Sequence, residues 1–343
     1  MRILLDISHP KQVHFFRPLI RRWQARGDTV QIVTRDKDIT HRLLELYNLP
    51  YVCLSRQQSG WRIGLELAWR WLRFARWIRR FRPDVVLSVA GVTTAVPSRL
   101  LGVPNIAFTD TETAVLSNRI TLPFADRIVT PEWFNGRFGP RHYVYRGFHE
   151  WSYLNPSEFQ PDPTLVRAEG IDPDTPYAVL RLVHWGAAHD WGESGLGAEN
   201  AVALVEQLSR KLRVYVSAEG SVPGALQPYV ARIRVDRVHH VLAAASMVVG
   251  ESPSMATEAT LLGVPAVLIS SWAGRCGNMQ VLEKQYGLMQ VFSQSQAGVA
   301  AALALADHPP DRAAIMARRC ALLADLCDMP SMVDGHIAAA MNR

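Results

Sequence analysis

Short apolar runs alternate with longer amphipathic stretches along the chain. Apolar runs rich in β-branched residues predict buried parallel strands, and the stretches between them predict covering helices. In the first half the predicted strands lie near 3–7, 30–34, 85–89, 105–108 and 127–129. The second half repeats the pattern near 177–182, 213–216, 247–249, 266–269 and 289–292, followed by helices near 311–326 and 331–341. Each half therefore predicts a Rossmann-like α/β domain.

A polar segment with five prolines separates the two halves, between positions 155 and 176. Such a composition is typical of a linker, and 343 residues are enough for two domains. We therefore predict an N-terminal Rossmann-like domain over 1–155, a linker over 156–176 and a C-terminal domain over 177–343. The last helix is expected to pack back on the N-terminal domain.

The composition is that of a globular protein, with 48% hydrophobic and 20% charged residues. No run of about 20 apolar residues predicts a membrane span. The first apolar run is interrupted by Asp6, so it predicts a strand and not a secretory signal, and we expect a cytoplasmic protein. The four cysteines have neither CxxC spacing nor paired histidines, which argues against a zinc site and a disulfide framework.

The segment MVVGESPSMATEATLLGVPAVLI predicts a strand, a tight loop, a helix and a second strand. Ser252 or Ser254 can cap the helix, whose free N–H groups and dipole favour a diphosphate. Glu258 lies one helical turn after Ser254 on the same face, where its carboxylate can accept ribose hydroxyls. Met255 and Thr257 complete the expected nucleotide contacts. A capped βαβ unit without a ligand explains the same spacing equally well.

This segment resembles the nucleotide-binding segment of GT-B glycosyltransferases and of UDP-N-acetylglucosamine 2-epimerases. Together with DISHPKQVHFFRPLI, with YRGFHEWSYL at 145–154 and with VLEKQYGL at 281–288, it resembles a widespread family of glycosyltransferase-like proteins described as a domain of unknown function. The resemblance implies the GT-B fold, in which two Rossmann-like domains with parallel sheets face a central cleft. It also implies that a UDP-linked nucleotide diphosphate sugar is the donor substrate, with the acceptor bound by the N-terminal domain and the nucleotide sugar by the C-terminal domain.

After the first strand, SHPKQVHFF places His9, Lys11 and His14 at the sheet edge where such folds bind ligands. In GT-B glycosyltransferases a histidine of this loop, followed by a proline, acts as a base on the acceptor hydroxyl, and His14 with Pro18 resembles that arrangement. His9 and Lys11 are expected nucleotide-sugar contacts. The alternative for His14 is a packing role in the helix.

The segment SVAGVTTAVPSRLLGVPNIAFTDTE resembles the 2-epimerases. Those enzymes have an acidic residue after the glycine, where this chain has Val92 in Gly91-Val92-Thr93-Thr94. Asp110 stands near a second epimerase acid and is a catalytic candidate that orients His14 or an acceptor hydroxyl. A solvated loop is the alternative for Asp110 and Glu112.

In the second half, Arg181 and His189 follow the strand YAVLRLV and are expected phosphate contacts, similar in residue type to a His-Arg motif of the epimerases. The sequence HDWGE lacks a complete metal-ligand set. GT-B enzymes stabilise the leaving diphosphate with protein donors, so the resemblance implies that no metal and no cofactor is required.

The excess of positive charge is confined to residues 61–82, which contain seven arginines, one acid and four of the ten tryptophans; elsewhere basic and acidic residues balance. A helical wheel places arginines and tryptophans away from the apolar face. Such a face predicts contact with an anionic membrane surface through Arg70, Arg73, Arg76, Arg80, Trp69 and Trp77. A solvated basic face is the alternative, and nucleic acid is disfavoured because no binding motif is present.

These patterns favour a metal-independent glycosyltransferase that moves a sugar from a nucleotide diphosphate sugar to a surface-polysaccharide or lipid-linked acceptor. Peripheral contact with the inner membrane face is part of this hypothesis. A 2-epimerase-like enzyme and a non-catalytic nucleotide-sugar-binding protein remain the alternatives.

Overall fold

The computed structural model of the chain describes residues 1–36, 38–56, 62–183 and 195–342. The chain divides into two compact units. The first contains Met1–Glu158 and Cys327–Arg343, and the second contains Phe159–Leu326. The segment 159–176, part of the predicted linker, thus lies in the second unit.

A parallel sheet with the strand order β3-β2-β1-β4-β5-β6-β7 forms the centre of the first unit. Its strands, within the described residues, are β1 Arg2–Asp6, β2 Thr29–Asp36, β3 Tyr51–Arg56, β4 Val85–Val89, β5 Asn105–Phe108, β6 Arg127–Pro131 and β7 His142–Tyr145. Ile3, Leu4 and Leu5 of β1 are fully buried, because helices cover both faces of a parallel sheet. The two edge strands, β3 and β7, were not predicted.

Helices follow most of these strands, as the alternating pattern predicts. They are α1 Pro10–Ala25, α2 Asp38–Leu46, α3 Arg62–Phe81, α4 Ala95–Leu100, α5 Val115–Thr121 and α6 Trp151–Leu154, with a 3₁₀ turn at Leu122–Phe124. Val13, Phe16 and Trp23 of α1 are buried at helical spacing, so one face of the helix packs in the core. Because only three residues connect β1 to α1, the helix begins at the carboxyl end of β1.

The second unit contains a smaller parallel sheet with the order β12-β11-β10-β8-β9. Its strands are β8 Tyr177–Leu182, β9 Arg213–Ala218, β10 Met247–Gly250, β11 Ala266–Ile269 and β12 Met289–Phe292. Its helices are α7 Pro163–Arg167, α8 Ala198–Leu208, α9 Val238–Ala244, α10 Pro253–Leu261, α11 Gly277–Gln280, α12 Ser295–Asp307 and α13 Arg312–Ala324. The helix α7, in the segment predicted as a linker, contacts α9.

The last helix, α14 Met329–Met341, belongs to the first unit. Asp334 accepts a hydrogen bond from the indole of Trp23 on α1, at 2.8 Å, and forms ion pairs with Arg22 and Arg26. Val333 and Ile337 are buried one helical turn apart. The helix is therefore an integral part of the first unit.

Candidate functional site

The loops after β1, β4 and β5 leave the first sheet from one edge, because these strands are parallel neighbours. The loop after β1 leads into α1, whose first turn is capped by His9. The Nδ1 atom of His9 accepts a hydrogen bond from the backbone N–H of Lys11 at 3.2 Å. The predicted ligand contact His9 thus caps a helix that begins at this edge.

Lys11 and Asp110, both predicted site residues, form an ion pair. The Lys11 Nζ atom lies 2.5 Å from Asp110 Oδ2 and 2.8 Å from Glu150 Oε1. Burial lowers the pKa of Lys11, but the two carboxylates raise it by more, so it lies above its ordinary value. One charged ammonium therefore holds two buried carboxyl groups that come from distant parts of the chain.

The carboxyl group of Asp110 also contacts His149, whose Nδ1 atom lies 3.2 Å from Asp110 Oδ2. Burial raises the pKa of Asp110, but His149 and Lys11 lower it by more, so Asp110 remains ionised at neutral pH. Burial lowers the pKa of His149 to about 4, so its ring is neutral. An ionised Asp110 fixes the proton on Nδ1, which leaves Nε2 as a hydrogen-bond acceptor.

Three buried polar atoms of this cluster have no hydrogen-bond partner among the residues that the structure describes: Tyr145 Oη, His149 Nε2 and Glu150 Oε2. Burial raises the pKa of Tyr145 and also that of Glu150. The carboxyl groups of Asp110 and Glu150 are therefore shifted in opposite directions while they share Lys11. Carboxyl pairs with divergent pKa values are the arrangement that enzymes use for acid–base chemistry.

The sequence did not single out His149 and Glu150 as site residues, although both lie in the segment YRGFHEWSYL at 145–154. Both are almost fully buried, with about 1% of each residue exposed. Two adjacent titratable residues in a segment that resembles a family motif were a signal that could have identified them. Their position beside Lys11 depends on the fold, because Lys11 follows the first strand of the sheet in sequence and His149 and Glu150 follow the last.

His14, the predicted acceptor base, lies in α1 and is 7% exposed. Its ring packs against Tyr153, with ring centres 5.2 Å apart, and against the edge of Tyr47, at 5.9 Å. The imidazole is thus held between aromatic rings near the start of α1. This geometry fits both an oriented base and the packing role that the sequence left open.

In the second unit, β10 leads through a short loop into α10, as predicted. Gly250 ends the strand with a positive φ of 152°, and a Cβ atom there would lie 2.2 Å from the backbone oxygen of Arg181. The close approach of β8 therefore requires glycine at this position. Ser252 caps α10, because its hydroxyl accepts a hydrogen bond from the N–H of Met255 at 3.4 Å.

The side chains along α10 differ in exposure. Ser252 and Ser254 are half-buried at its start, whereas Met255 and Thr257 are buried. Glu258 is 8% exposed, and its Oε1 atom lies 3.1 Å from Nε2 of His239 on α9. Glu258, the residue predicted to bind the ribose, is therefore held in place by a histidine. Ser252 and Ser254 are the more accessible polar residues at the N-terminus of α10.

Glu251, which the sequence analysis did not name, lies directly before the cap. Its buried carboxylate accepts hydrogen bonds from the backbone N–H groups of Val183 at 2.8 Å and Leu196 at 2.6 Å. These residues lie on either side of segment 184–194. The Glu251 side chain, beside the α10 cap, thus binds the residues that precede and follow this segment. His189, a predicted phosphate contact, belongs to the segment and lies outside the described residues.

Arg181 lies at the carboxyl end of β8, as predicted. Its Nη1 atom donates a hydrogen bond to the Ser217 hydroxyl at 2.8 Å, and its Nη2 atom pairs with Glu219. Both partners belong to or follow β9. The guanidinium therefore contacts residues in β9 and directly after it. A strand prediction gives the position of Arg181 but not these contacts.

The predicted exposure of Arg70 is wrong. Arg70 is 5% exposed, and its Nη1 atom lies 3.7 Å from Glu66 Oε1, one helical turn away. Burial raises the pKa of Asp6, and Arg70 offsets part of that rise by attraction. Arg70 therefore balances two buried carboxyl groups beneath α3 and is not available to a membrane surface.

The other residues of the predicted membrane face are more accessible. Trp69, Arg73, Arg76 and Arg80 are exposed, and Trp77 is half-buried against the core cluster around Phe74. The Arg80 guanidinium lies 5.4 Å from the centre of the Trp77 ring. Trp77 thus serves partly as core and partly as a support for an arginine.

Among the described residues, no helix is both long and apolar enough to cross a membrane. The same part of the chain holds no group of three or more histidine, cysteine and acidic side chains placed to bind a metal ion.

Comparisons with known proteins agree with this architecture. Residues 1–150 match a family model described as "Protein of unknown function (DUF354)". An uncharacterized protein of Methanocaldococcus jannaschii is 23% identical over 276 residues, covering 77% of this chain and 80% of the relative. The resemblance to a domain-of-unknown-function family is confirmed.

Two solved structures define the fold. The UDP-GlcNAc 2-epimerase of Neisseria meningitidis bound to UDP-GlcNAc is 11% identical, with a TM-score of 0.68 over 99% of this chain and 100% of that chain. The glycosyltransferase VinC in complex with DTDP is 14% identical, with a TM-score of 0.61 over 100% of both chains. The predicted GT-B class, with two Rossmann-like parallel sheets, is therefore confirmed.

Proposed function

We propose that this protein is a metal-independent GT-B glycosyltransferase. In this proposal it moves a sugar from a UDP-linked donor to a cell-surface polysaccharide or lipid-linked acceptor, in the cytoplasm at the inner membrane face. Relatives of the same fold have UDP-GlcNAc or DTDP bound, which supports a nucleotide diphosphate as part of the donor.

The start of α10 is the observation that carries the proposal. The central strand β10 ends at a glycine that approaches its neighbour closely, and a serine-capped helix of nine residues follows at the carboxyl edge of the sheet. Half-buried Ser252 and Ser254 bring hydroxyl groups to the positive end of the helix dipole. This combination favours a diphosphate, and Glu258 lies one turn further for the ribose.

The residues of the first unit would then act on the acceptor. His14 takes the proton of an acceptor hydroxyl, whose oxygen forms a bond to the anomeric carbon of the donor sugar. The bond from that carbon to the diphosphate oxygen breaks, and UDP leaves with its charge compensated at the start of α10. Asp110, held ionised by Lys11, orients the acceptor hydroxyl.

A 2-epimerase-like reaction is the second candidate, and one observation favours it. Asp110 and Glu150 share Lys11 with pKa shifts of opposite direction, which suits a pair that removes and returns a proton. Against it, Val92 occupies the position where the epimerases have an acid, and its carbonyl accepts a hydrogen bond from Trp71. We therefore favour the transferase hypothesis over the epimerase hypothesis.

Donor consumption with and without an acceptor separates the candidates. Purified protein is incubated with UDP-N-acetylglucosamine or UDP-glucose, alone and with a bacterial lipid extract, and released UDP and sugar isomers are measured. We expect UDP release that requires the extract and no isomeric donor. Conversion of the donor into its isomer without an extract would identify the epimerase, and binding without either reaction would identify a nucleotide-sugar-binding protein.

The same assay tests His14. We expect the His14→Ala variant to bind the donor like wild type and to transfer sugar roughly 10²- to 10⁴-fold more slowly, the usual contribution of a general base. Asp110→Asn is the companion variant, because it keeps the shape of the side chain and removes its charge. Unchanged transfer by His14→Ala together with loss in Asp110→Asn would move the base to the Asp110–His149 pair.

A further inference from the structure

Helix α5 has the opposite polarity from an ordinary surface helix. Two of its polar residues, Asn118 and Thr121, are buried, where they donate hydrogen bonds to the carbonyls of Thr111 at 3.1 Å and Ala90 at 3.0 Å. Its apolar residues Val115, Leu116 and Ile120 are exposed, Leu116 by 73%. A helix that contacts only water does not gain from this arrangement.

Neighbouring elements extend this apolar surface. The helix α5 contacts the turn Leu122–Phe124, the turn contacts α4, and α4 contacts α3. We use the term apolar face for their exposed hydrophobic side chains: Leu65, Trp69, Leu72, Leu100, Val115, Leu116, Ile120 and Phe124. These are eight of the eleven large hydrophobic side chains exposed in the described residues, and all eleven lie in the first unit. The exposure is therefore concentrated in one region.

The exposed charge on the elements of the apolar face has a single sign. The exposed charged residues of these four elements are arginines, at positions 73, 76, 79, 80, 99 and 119. Their one acidic residue is Glu66, which is buried. Arg73, Arg76 and Arg80 line one groove between α3 and β3. Apolar side chains flanked by arginines without exposed acids match the apolar interior and anionic headgroups of a lipid surface.

We propose that the apolar face inserts into the headgroup region of an anionic phospholipid bilayer, with α5 as the leading element. The α3 arginines contact headgroup phosphates beside it. Val115, the first residue of α5, follows Asp110 by five residues, so a short loop connects the inserting helix to the Lys11–Asp110 ion pair. Lipid binding is independent of the reaction, and the delivery of a lipid-linked acceptor from this bilayer rests on the proposed function.

Vesicle co-sedimentation tests the lipid surface. Wild type is compared with the triple variant Val115→Ser, Leu116→Ser, Ile120→Ser, using phosphatidylcholine vesicles with and without phosphatidylglycerol, at low and high salt. The matched control is Val144→Ser, which changes an exposed valine of the first unit on β7, outside the apolar face. Burial of one side chain of this size changes a partition coefficient by roughly tenfold or more. We therefore expect the affinity of the triple variant for phosphatidylglycerol vesicles to fall by at least about tenfold.

We expect wild type and Val144→Ser to bind the phosphatidylglycerol vesicles equally, and more weakly at high salt. Circular dichroism of the triple variant shows whether it is folded, and UDP titration shows whether it still binds nucleotide. A failure of the proposed lipid contact is thereby distinguished from a failure of the proposed nucleotide-sugar function. Equal sedimentation of wild type and triple variant would overturn the proposal. So would a wild-type dimer that binds no vesicles and that the triple variant converts to a monomer.

Discussion

The variant Lys11→Met should lose about 3–5 kcal/mol of unfolding free energy, the usual cost of breaking a buried ion pair on one side. Lys11 is the ammonium between Asp110 and Glu150, at 2.5 and 2.8 Å. Methionine fills similar space but leaves two buried carboxyl groups without their shared cation. Urea unfolding at neutral pH, followed by circular dichroism, measures the loss.

A second substitution makes this test specific. Glu150→Gln in the Lys11→Met background removes one of the two carboxylates, and Asp110 keeps its contact with His149. The double variant should therefore recover part of the lost stability, because one uncompensated charge is gone. A Lys11→Met protein within about 1 kcal/mol of wild type would show that the ion pair is solvated and weak.

Acid should destabilise the protein between about pH 6.5 and pH 4 through His149. The unfolded ring takes a proton near its ordinary pKa of about 6.5, whereas burial holds the folded pKa at about 4. Between these values the unfolded state binds more protons, so stability falls as the pH falls. At pH 5 the loss attributable to this ring is about 2 kcal/mol relative to pH 7.

Urea unfolding of wild type and His149→Asn at both pH values isolates this contribution. The variant is less stable at pH 7, since it loses the contact with Asp110, but its further loss at pH 5 should be smaller than that of wild type by about 2 kcal/mol. His336 also has a pKa lowered by burial to about 4, so the variant retains some acid sensitivity. An identical pH dependence in the two proteins would contradict a buried neutral His149.

The five strands inside the first sheet could be predicted from the sequence, because helices cover both of their faces and their sequences are largely apolar. In the second sheet the edge strands β9 and β12 were also predicted, because each contains an apolar run. The edge strands β3 and β7 have only one neighbouring strand each and include polar residues such as Ser55 and His142. Their apolar runs are therefore interrupted. Both resemble loops in sequence, although they extend the first sheet on either side.

The site was partly predictable for a related reason. Lys11 and Asp110 each follow a strand of a parallel sheet, so both were expected at its carboxyl edge. Their ion pair, and the addition of His149 and Glu150 to it, depend on how the strands and the loop before α6 are arranged in space. Arg70 shows the limit of a helical wheel, which assigns a face but does not identify Glu66 as the partner that keeps the arginine buried.

Titration of UDP into the purified protein by calorimetry tests the central claim most directly. We expect wild type to bind UDP and Glu258→Ala to bind it roughly 10- to 100-fold more weakly, the worth of a charge-assisted hydrogen bond to the ribose. Glu206→Ala, which removes an exposed carboxylate from α8, should bind like wild type. Glu258→Gln retains the shape and serves as a second variant if the alanine protein is unstable. Absence of UDP binding by wild type, or equal affinity of folded Glu258 variants, would contradict a nucleotide site at the start of α10.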